Sequence, residues 1–352
     1  MTQEINNEND NAGHGIRGLR AQPSEELFTT VCNLYGIKLK DGRTDLGGSS
    51  SLNLLVVHIE DRYVVRVYRP CVTEARLGNI NLARQTLNAY GLPVSQILPT
   101  LDKQQWAIFD NRLIEIEKFV ASDAYMNSWE HLMAGLPLLG KIHTALKNVQ
   151  FGKDGKNPLF ANHIEPQRTL ELTLPGIQRI RQWSRLSKYE RLADAAEELA
   201  ARVSKAERGY LPHLPRQMCH GDYWDNNVFF RDGQVVLVTD FDFMGERARI
   251  DDLALTLYYF DCSDNLVTHE HLGKLRCLID AYDKGLGDPL SEIERKALPL
   301  AMARQPLWSI GVWIALLDDE AMAKQHAESI INDINWALRI MSDLDRYQDA
   351  FS

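Results

Sequence analysis

The stretch that most constrains this chain runs from His220 to Asp242. His220-Gly221-Asp222 is followed by Asn227, five residues past the aspartate, and then by two short apolar runs, Val228–Phe230 and Val235–Thr239, joined by Asp232-Gly233. Asp-Gly between two such runs predicts a tight β-hairpin. Asp240-Phe241-Asp242 comes directly after it, so the hairpin returns Asp240 to the loop that it left at Asn227. A loop carboxylate, a loop carboxamide and a carboxylate from the far strand form a set of hard oxygen donors. Such donors suit a divalent cation on a polyphosphate, and an aspartate beside them can accept a proton from an attacking hydroxyl. His-Gly-Asp alone is better explained as a turn. The spacing of the whole set is what points to phosphoryl transfer.

The rest of the chain divides unevenly. Residues 1–22, rich in Asn, Glu and Gly, read as a flexible tail. Ser24 is suited to cap a helix over Glu25–Tyr35 that stops at Gly36. Leu52–Ile59 and Tyr63–Tyr68 read as a hairpin through Glu60-Asp61-Arg62, preceded by the small-residue loop Gly47-Gly48-Ser49-Ser50-Ser51. A helix over Thr73–Tyr90 follows, then strands near Trp106–Phe109 and Leu113–Phe119. From Ser128 onward the pattern is helical, with segments at Leu138–Leu146, Tyr189–Val203, Leu272–Tyr282 and Glu292 to about Asp345. The expected fold class is α+β: a small β-rich part with one main helix, then a larger helical part that carries the hairpin.

His-x-Asp-x-x-x-x-Asn (His220, Asp222, Asn227), then Asp240, Gly245 and Asp252-Leu253-Ala254, resembles the catalytic and metal-binding loops of the aminoglycoside phosphotransferase/choline kinase family. The resemblance implies a protein-kinase-like bilobal fold, with a nucleotide-binding lobe over 23–119 and a catalytic and substrate-binding lobe over 120–352. It implies Asp222 as the base, Asn227 and Asp240 as Mg²⁺ ligands, His220 as a brace for the loop, and Asp252 as a structural aspartate. It places Gly47, Gly48, Ser49 and Ser50 over the nucleotide phosphates, Arg66 at the strand cation that grips them, and backbone groups near Glu117–Phe119 against the adenine of ATP. Two features depart from the family. The strand cation is arginine, and Ala75–Tyr90 offers no acidic partner for it. Glu74, Asn81, Gln85 or a surface pairing are the alternatives for Arg66. Trp224–Val228 and Asp240–Phe243 also resemble homoserine kinases of this family.

The net charge of -9 leaves no basic surplus for nucleic acid, and no run reaches the length of a membrane helix. Five scattered cysteines without metal-like spacing fit a reduced, cytoplasmic protein. The expected partner is a small hydroxyl compound, of the aminoglycoside, amino-alcohol or homoserine type. A protein Ser/Thr kinase and a nucleotide-binding pseudokinase are the competing readings. Asp252 lies only twelve positions after Asp240, which leaves no evident activation segment. Asp225 and Asp242 read equally as solvated or outlying carboxylates and as metal ligands or substrate contacts. Tyr258, Tyr259, Asp261, Asp264, Trp308 and Trp313 read as core first and as a pocket wall second, and His143 as a core histidine.

Overall fold

Capping chemistry sets the first helix. The Leu27 N–H donates to the Ser24 hydroxyl at 3.1 Å, and Gly36 closes α1 (Glu25–Tyr35) in the left-handed region, as expected. The computed structural model describes residues 20–38, 43–48, 51–59, 61–158, 162–183, 187–262 and 268–352. Ser49, Ser50, Asp264 and most of the N-terminal tail lie outside them.

An antiparallel sheet follows, built from β1 (Thr44–Asp45), β2 (Leu52–His58), β3 (Asp61–Val67), β4 (Ile97–Leu98), β5 (Ala107–Phe109) and β6 (Arg112–Lys118), with α2 (Glu74–Ala89) between β3 and β4. The order is β1-β2-β3-β6-β4, with β5 beside β6. Period-two alternation splits the residues of this sheet between its faces. Leu52, Leu54, Val56, Val65, Val67, Ile114 and Ile116 bury one face against Leu27, Phe28 and Val31 of α1. On the other face Arg66 lies directly opposite Glu115. Tyr68 and Leu113 share a second, larger core cluster with Leu77, Ile80, Ala83 and Leu87 of α2 and with the helical part.

The helical part contains β7 (Ala124–Tyr125), α3 (Trp129–Leu146), α4 (Lys153–Lys156), α5 (Thr169–Gln182), α6 (Ser187–Glu207), β8 (Arg216–Cys219), β9 (Val228–Arg231), β10 (Gln234–Val238) and β11 (Gly245–Ala248). Beyond them come α7 (Arg249–Asp261), α8 (His269–Asp283), α9 (Glu292–Arg304), α10 (Leu307–Ser309), α11 (Glu320–Ser329), α12 (Ile331–Ser342) and α13 (Leu344–Phe351). The β9–β10 hairpin forms on the predicted turn, with Asp232 and Gly233 at φ 51° and 73°. The helix expected from Glu292 to about Asp345 is broken instead. Pro306 follows α9, and a π-helical turn over Ile310–Ile314 follows α10. Strands β8 and β11 were not foreseen. Each has four residues, and pairing with the other across the catalytic loop defines them. Among the described residues, no helix is long and apolar enough to cross a membrane.

Candidate active site

The loop that begins at His220 leaves β8, and the chain re-enters through β11, so both ends of the 220–244 segment are fixed by one short ladder. Gly221 sits at φ 86°, and a Cβ there would lie 2.1 Å from the Phe243 carbonyl oxygen. Glycine is therefore required where the loop crosses the turn after Asp240. Asp252, at the start of α7, accepts the N–H groups of His220 at 2.7 Å and Gly221 at 2.8 Å. His143 closes the arrangement from α3, bonding Asp252 Oδ2 at 3.0 Å and the Tyr282 hydroxyl at 2.7 Å, which makes it a core histidine.

Burial alone would raise the Asp252 carboxyl. The His143 hydrogen bond, with the positive charges nearby, outweighs burial and holds it at about 2. A depressed carboxyl stabilises the fold above its unfolded value of about 4, and the gain is lost as pH falls towards 2. A shift of that size corresponds to a contribution of about 2 kcal/mol. Urea unfolding should show a drop in stability between pH 4 and 2, and Asp252→Asn should reduce that drop by this amount while lowering stability at pH 7.

His220 braces the loop from within. Its Nδ1 accepts the Asp222 N–H at 3.2 Å, so its Nε2 carries the proton and donates to the Thr239 carbonyl at 3.0 Å. Burial lowers its pKa, which favours this neutral form. Asn227 gives its amide nitrogen to both the carbonyl and Oδ2 of Asp222, each at 2.8 Å. That nitrogen is spent, and Asn227 Oδ1 is the atom with ligating capacity. The Thr239 N–H donates to the Asn227 carbonyl at 3.0 Å, which sets Asp240 beside it. Asp222 Oδ1 accepts a very short hydrogen bond from Asn162, a residue that no sequence motif marks. Burial first, and the Asp240 charge second, push the Asp222 carboxyl well above the usual range.

Asp240 takes a left-handed backbone at φ 63°, ψ 61°, which costs strain in a residue other than glycine and turns its carboxylate inward. Arg66 reaches it from β3, with Nη2 2.7 Å from Asp240 Oδ1 and 3.1 Å from Asp242 Oδ2. Burial opposes the ionised form of Asp240, but Arg66 prevails and lowers its pKa. Asp242 is thus a buried partner of Arg66 and is not solvated. Every alternative for Arg66 is corrected. Glu74 accepts from Trp106, Asn81 serves Glu115, Gln85 is exposed, and Arg66 itself is buried.

Beyond Glu74, α2 carries no acid, and the acids that pair across to it stand on β6, with the polarity of the pair reversed. Arg84 of α2 donates to Glu117 at 2.6 Å and to Glu115 at 2.5 Å. Glu115 also accepts the Tyr68 hydroxyl at 2.7 Å and the Asn81 amide at 2.6 Å.

Gly47 and Gly48 take φ of 84° and 116°, and the Asn53 amide bonds the Gly47 carbonyl at 3.0 Å. A Cβ on Gly48 would lie 2.9 Å from the Ser51 carbonyl oxygen, and the Ser51 hydroxyl lies 3.5 Å from Asp242. The loop therefore ends at the Asp240–Asp242 turn. The hinge differs from expectation. Lys118 N–H donates to the Gln96 carbonyl at 2.9 Å, Phe119 N–H to that of Arg62 at 3.0 Å, and the Glu117 side chain faces α2.

The sequence profile of the phosphotransferase enzyme family matches residues 41–266. The chain belongs to the phosphotransferase enzyme family. Its similarity to homoserine kinase of Caulobacter vibrioides is 24% identity over 263 residues, 72% of this chain and 74% of the relative. An aminopropanol kinase associated with a microcompartment superposes with a TM-score of 0.69 at 14% identity, covering 91% of this chain and 98% of the other. The amicoumacin kinase hAmiN, in complex with AMP-PNP, Ca²⁺ and Ami, does so with a TM-score of 0.65 at 13% identity, covering 89% and 94%. The fold is the protein-kinase-like one of these phosphotransferases.

Proposed function

We propose that this phosphotransferase moves the γ-phosphoryl group of ATP to the hydroxyl of a small amino alcohol or hydroxy amino acid, with a homoserine-like acceptor first. The observation that carries the reading is Asp222, buried, held through both carboxylate oxygens by amides, and set beside Asn227 and Asp240. The donor set fits a hard cation, since Asn227 Oδ1 and the Asp240 carboxylate are both oxygen ligands. A bound Mg²⁺ would screen phosphate charge there. Asp222 orients the acceptor hydroxyl and takes its proton, and its raised pKa brings its basicity nearer to neutral pH. Arg66, freed from Asp240, meets the phosphates as a bidentate donor. Gly47 and Gly48 cover those phosphates, and adenine lies against the segment that follows Phe119. The nucleotide lobe over 23–119, the catalytic lobe over 120–352 and a cytoplasmic setting belong to the same proposal.

Two observations support this acceptor class. The first is the homoserine kinase likeness over most of the chain. The second is Asp225, whose buried Oδ1 has no hydrogen-bond partner and whose pKa burial raises. It follows Trp224, which stacks on Tyr259 at 4.4 Å, and Tyr259 senses the charges of both Asp222 and Asp225. An ammonium group would complete Asp225. A protein acceptor is disfavoured because the residues from Asp240 to Asp252 are taken up by a tight turn, β11 and the start of α7.

ADP release should be followed with Mg-ATP and L-homoserine, amino alcohols, choline, sugars and aminoglycosides. Turnover is expected to be highest with L-homoserine or a short amino alcohol. ATP binding without ADP from any acceptor would leave the pseudokinase reading in its place.

A further inference from the structure

The first turn of α2 is fastened to the helical part of the molecule. Arg76, 7% exposed, donates from Nη1 to the carbonyls of Asp154 at 2.9 Å and Gly155 at 2.7 Å, both in α4. From Nη2 it donates to the carbonyls of Asp242 at 2.9 Å and Met244 at 2.6 Å, within the turn that follows Asp240. All four acceptors are backbone oxygens, so the guanidinium fixes the path of the chain and is indifferent to side-chain identity. Burial lowers its pKa to about 10, which leaves it charged at neutral pH. Asn79, one turn along α2, accepts the Gly152 N–H at 2.8 Å, and a Cβ on Gly155 would lie 2.6 Å from its Oδ1. The apolar side of α2 packs into the larger core cluster and not into the cluster beneath α1.

We propose that Arg76 is a positioning residue for the Asp240–Asp242 turn. It links helix to site through backbone carbonyls, where a helix carboxylate paired with the strand cation would otherwise do so. The inference rests on the reading of Asp240 as a metal ligand.

Free Mn²⁺ can be measured by electron paramagnetic resonance as it titrates the full-length protein with AMP-PNP present. Arg76→Met is expected to weaken Mn²⁺ binding about tenfold, the size of effect that loss of charged hydrogen bonds produces. Arg76→Lys, which keeps the charge with fewer directed donors, should fall between it and wild type, and the acceptor KM should not move. Arg179→Ala is the stability control. Arg179 holds the carbonyls of Ile314, at 3.0 Å, and Leu317, so its loss should lower the melting temperature without altering Mn²⁺ binding. Wild-type Mn²⁺ affinity in both Arg76 variants, or a loss no greater than that in Arg179→Ala, overturns the inference. Asp240→Asn separates the two assignments. If it binds Mn²⁺ like wild type, the metal assignment falls and takes the inference with it. If it loses Mn²⁺ while the Arg76 variants do not, the inference alone falls.

Discussion

Asp222→Asn is expected to lower kcat by about a thousandfold, as loss of a general base does, while nucleotide binding and melting temperature hold. The carboxylate is buried and sits near Asp240, so its charged form is already disfavoured. An amide of the same shape removes that repulsion. Asn227 still donates to its oxygen, and its NH2 is satisfied once the Asn162 amide turns its oxygen inward. The variant should therefore be folded and inactive, with a nucleotide Kd close to that of wild type. Steady-state kinetics with the best acceptor and a thermal melt decide it. Retention of more than a tenth of the turnover would remove Asp222 from the role of base.

The largest loss of stability should come from Arg84→Met. Its guanidinium lies between Glu115 and Glu117, both nearly inaccessible, and burial of the arginine is outweighed by its attraction to them. Methionine fills the space but strands two buried carboxylates, a change that costs about 3–5 kcal/mol. Much of that should return when Glu115→Gln and Glu117→Gln are added, because the penalty lies in unpaired charge and not in lost packing. Chemical denaturation of the single and triple variants measures both effects. If the triple variant is no more stable than the single one, packing and not charge explains the loss. A change near this network should also raise the KM for ATP, because Arg66 lies opposite Glu115 and its guanidinium rests 5.1 Å from the Tyr68 ring.

The sequence-level expectations for the nucleotide clamp were the least complete, and the cause is physical. A cation on a strand and an acid on a helix can be sought at fixed offsets, but a pair with reversed polarity cannot. Nothing in the sequence around Arg84 marks it, and only β6 places Glu115 and Glu117 against it. Asn162 and Arg76 are equally silent. One reaches Asp222 from sixty positions away, and the other bonds carbonyls that carry no residue identity.

What the chain determined by itself was local. The turn at Asp232-Gly233, the cap at Ser24 and the stop at Gly36 follow from backbone preferences of single residues, and the spacing of His220, Asp222, Asn227 and Asp240 is fixed by a loop and a hairpin too short to vary. Tertiary structure decided where charge went. Arg66 met Asp240 and Asp242, α2 joined the core of the helical part, and two four-residue strands closed the catalytic loop. These depend on which surfaces exclude water together, and a buried charge must find its opposite wherever packing brings one.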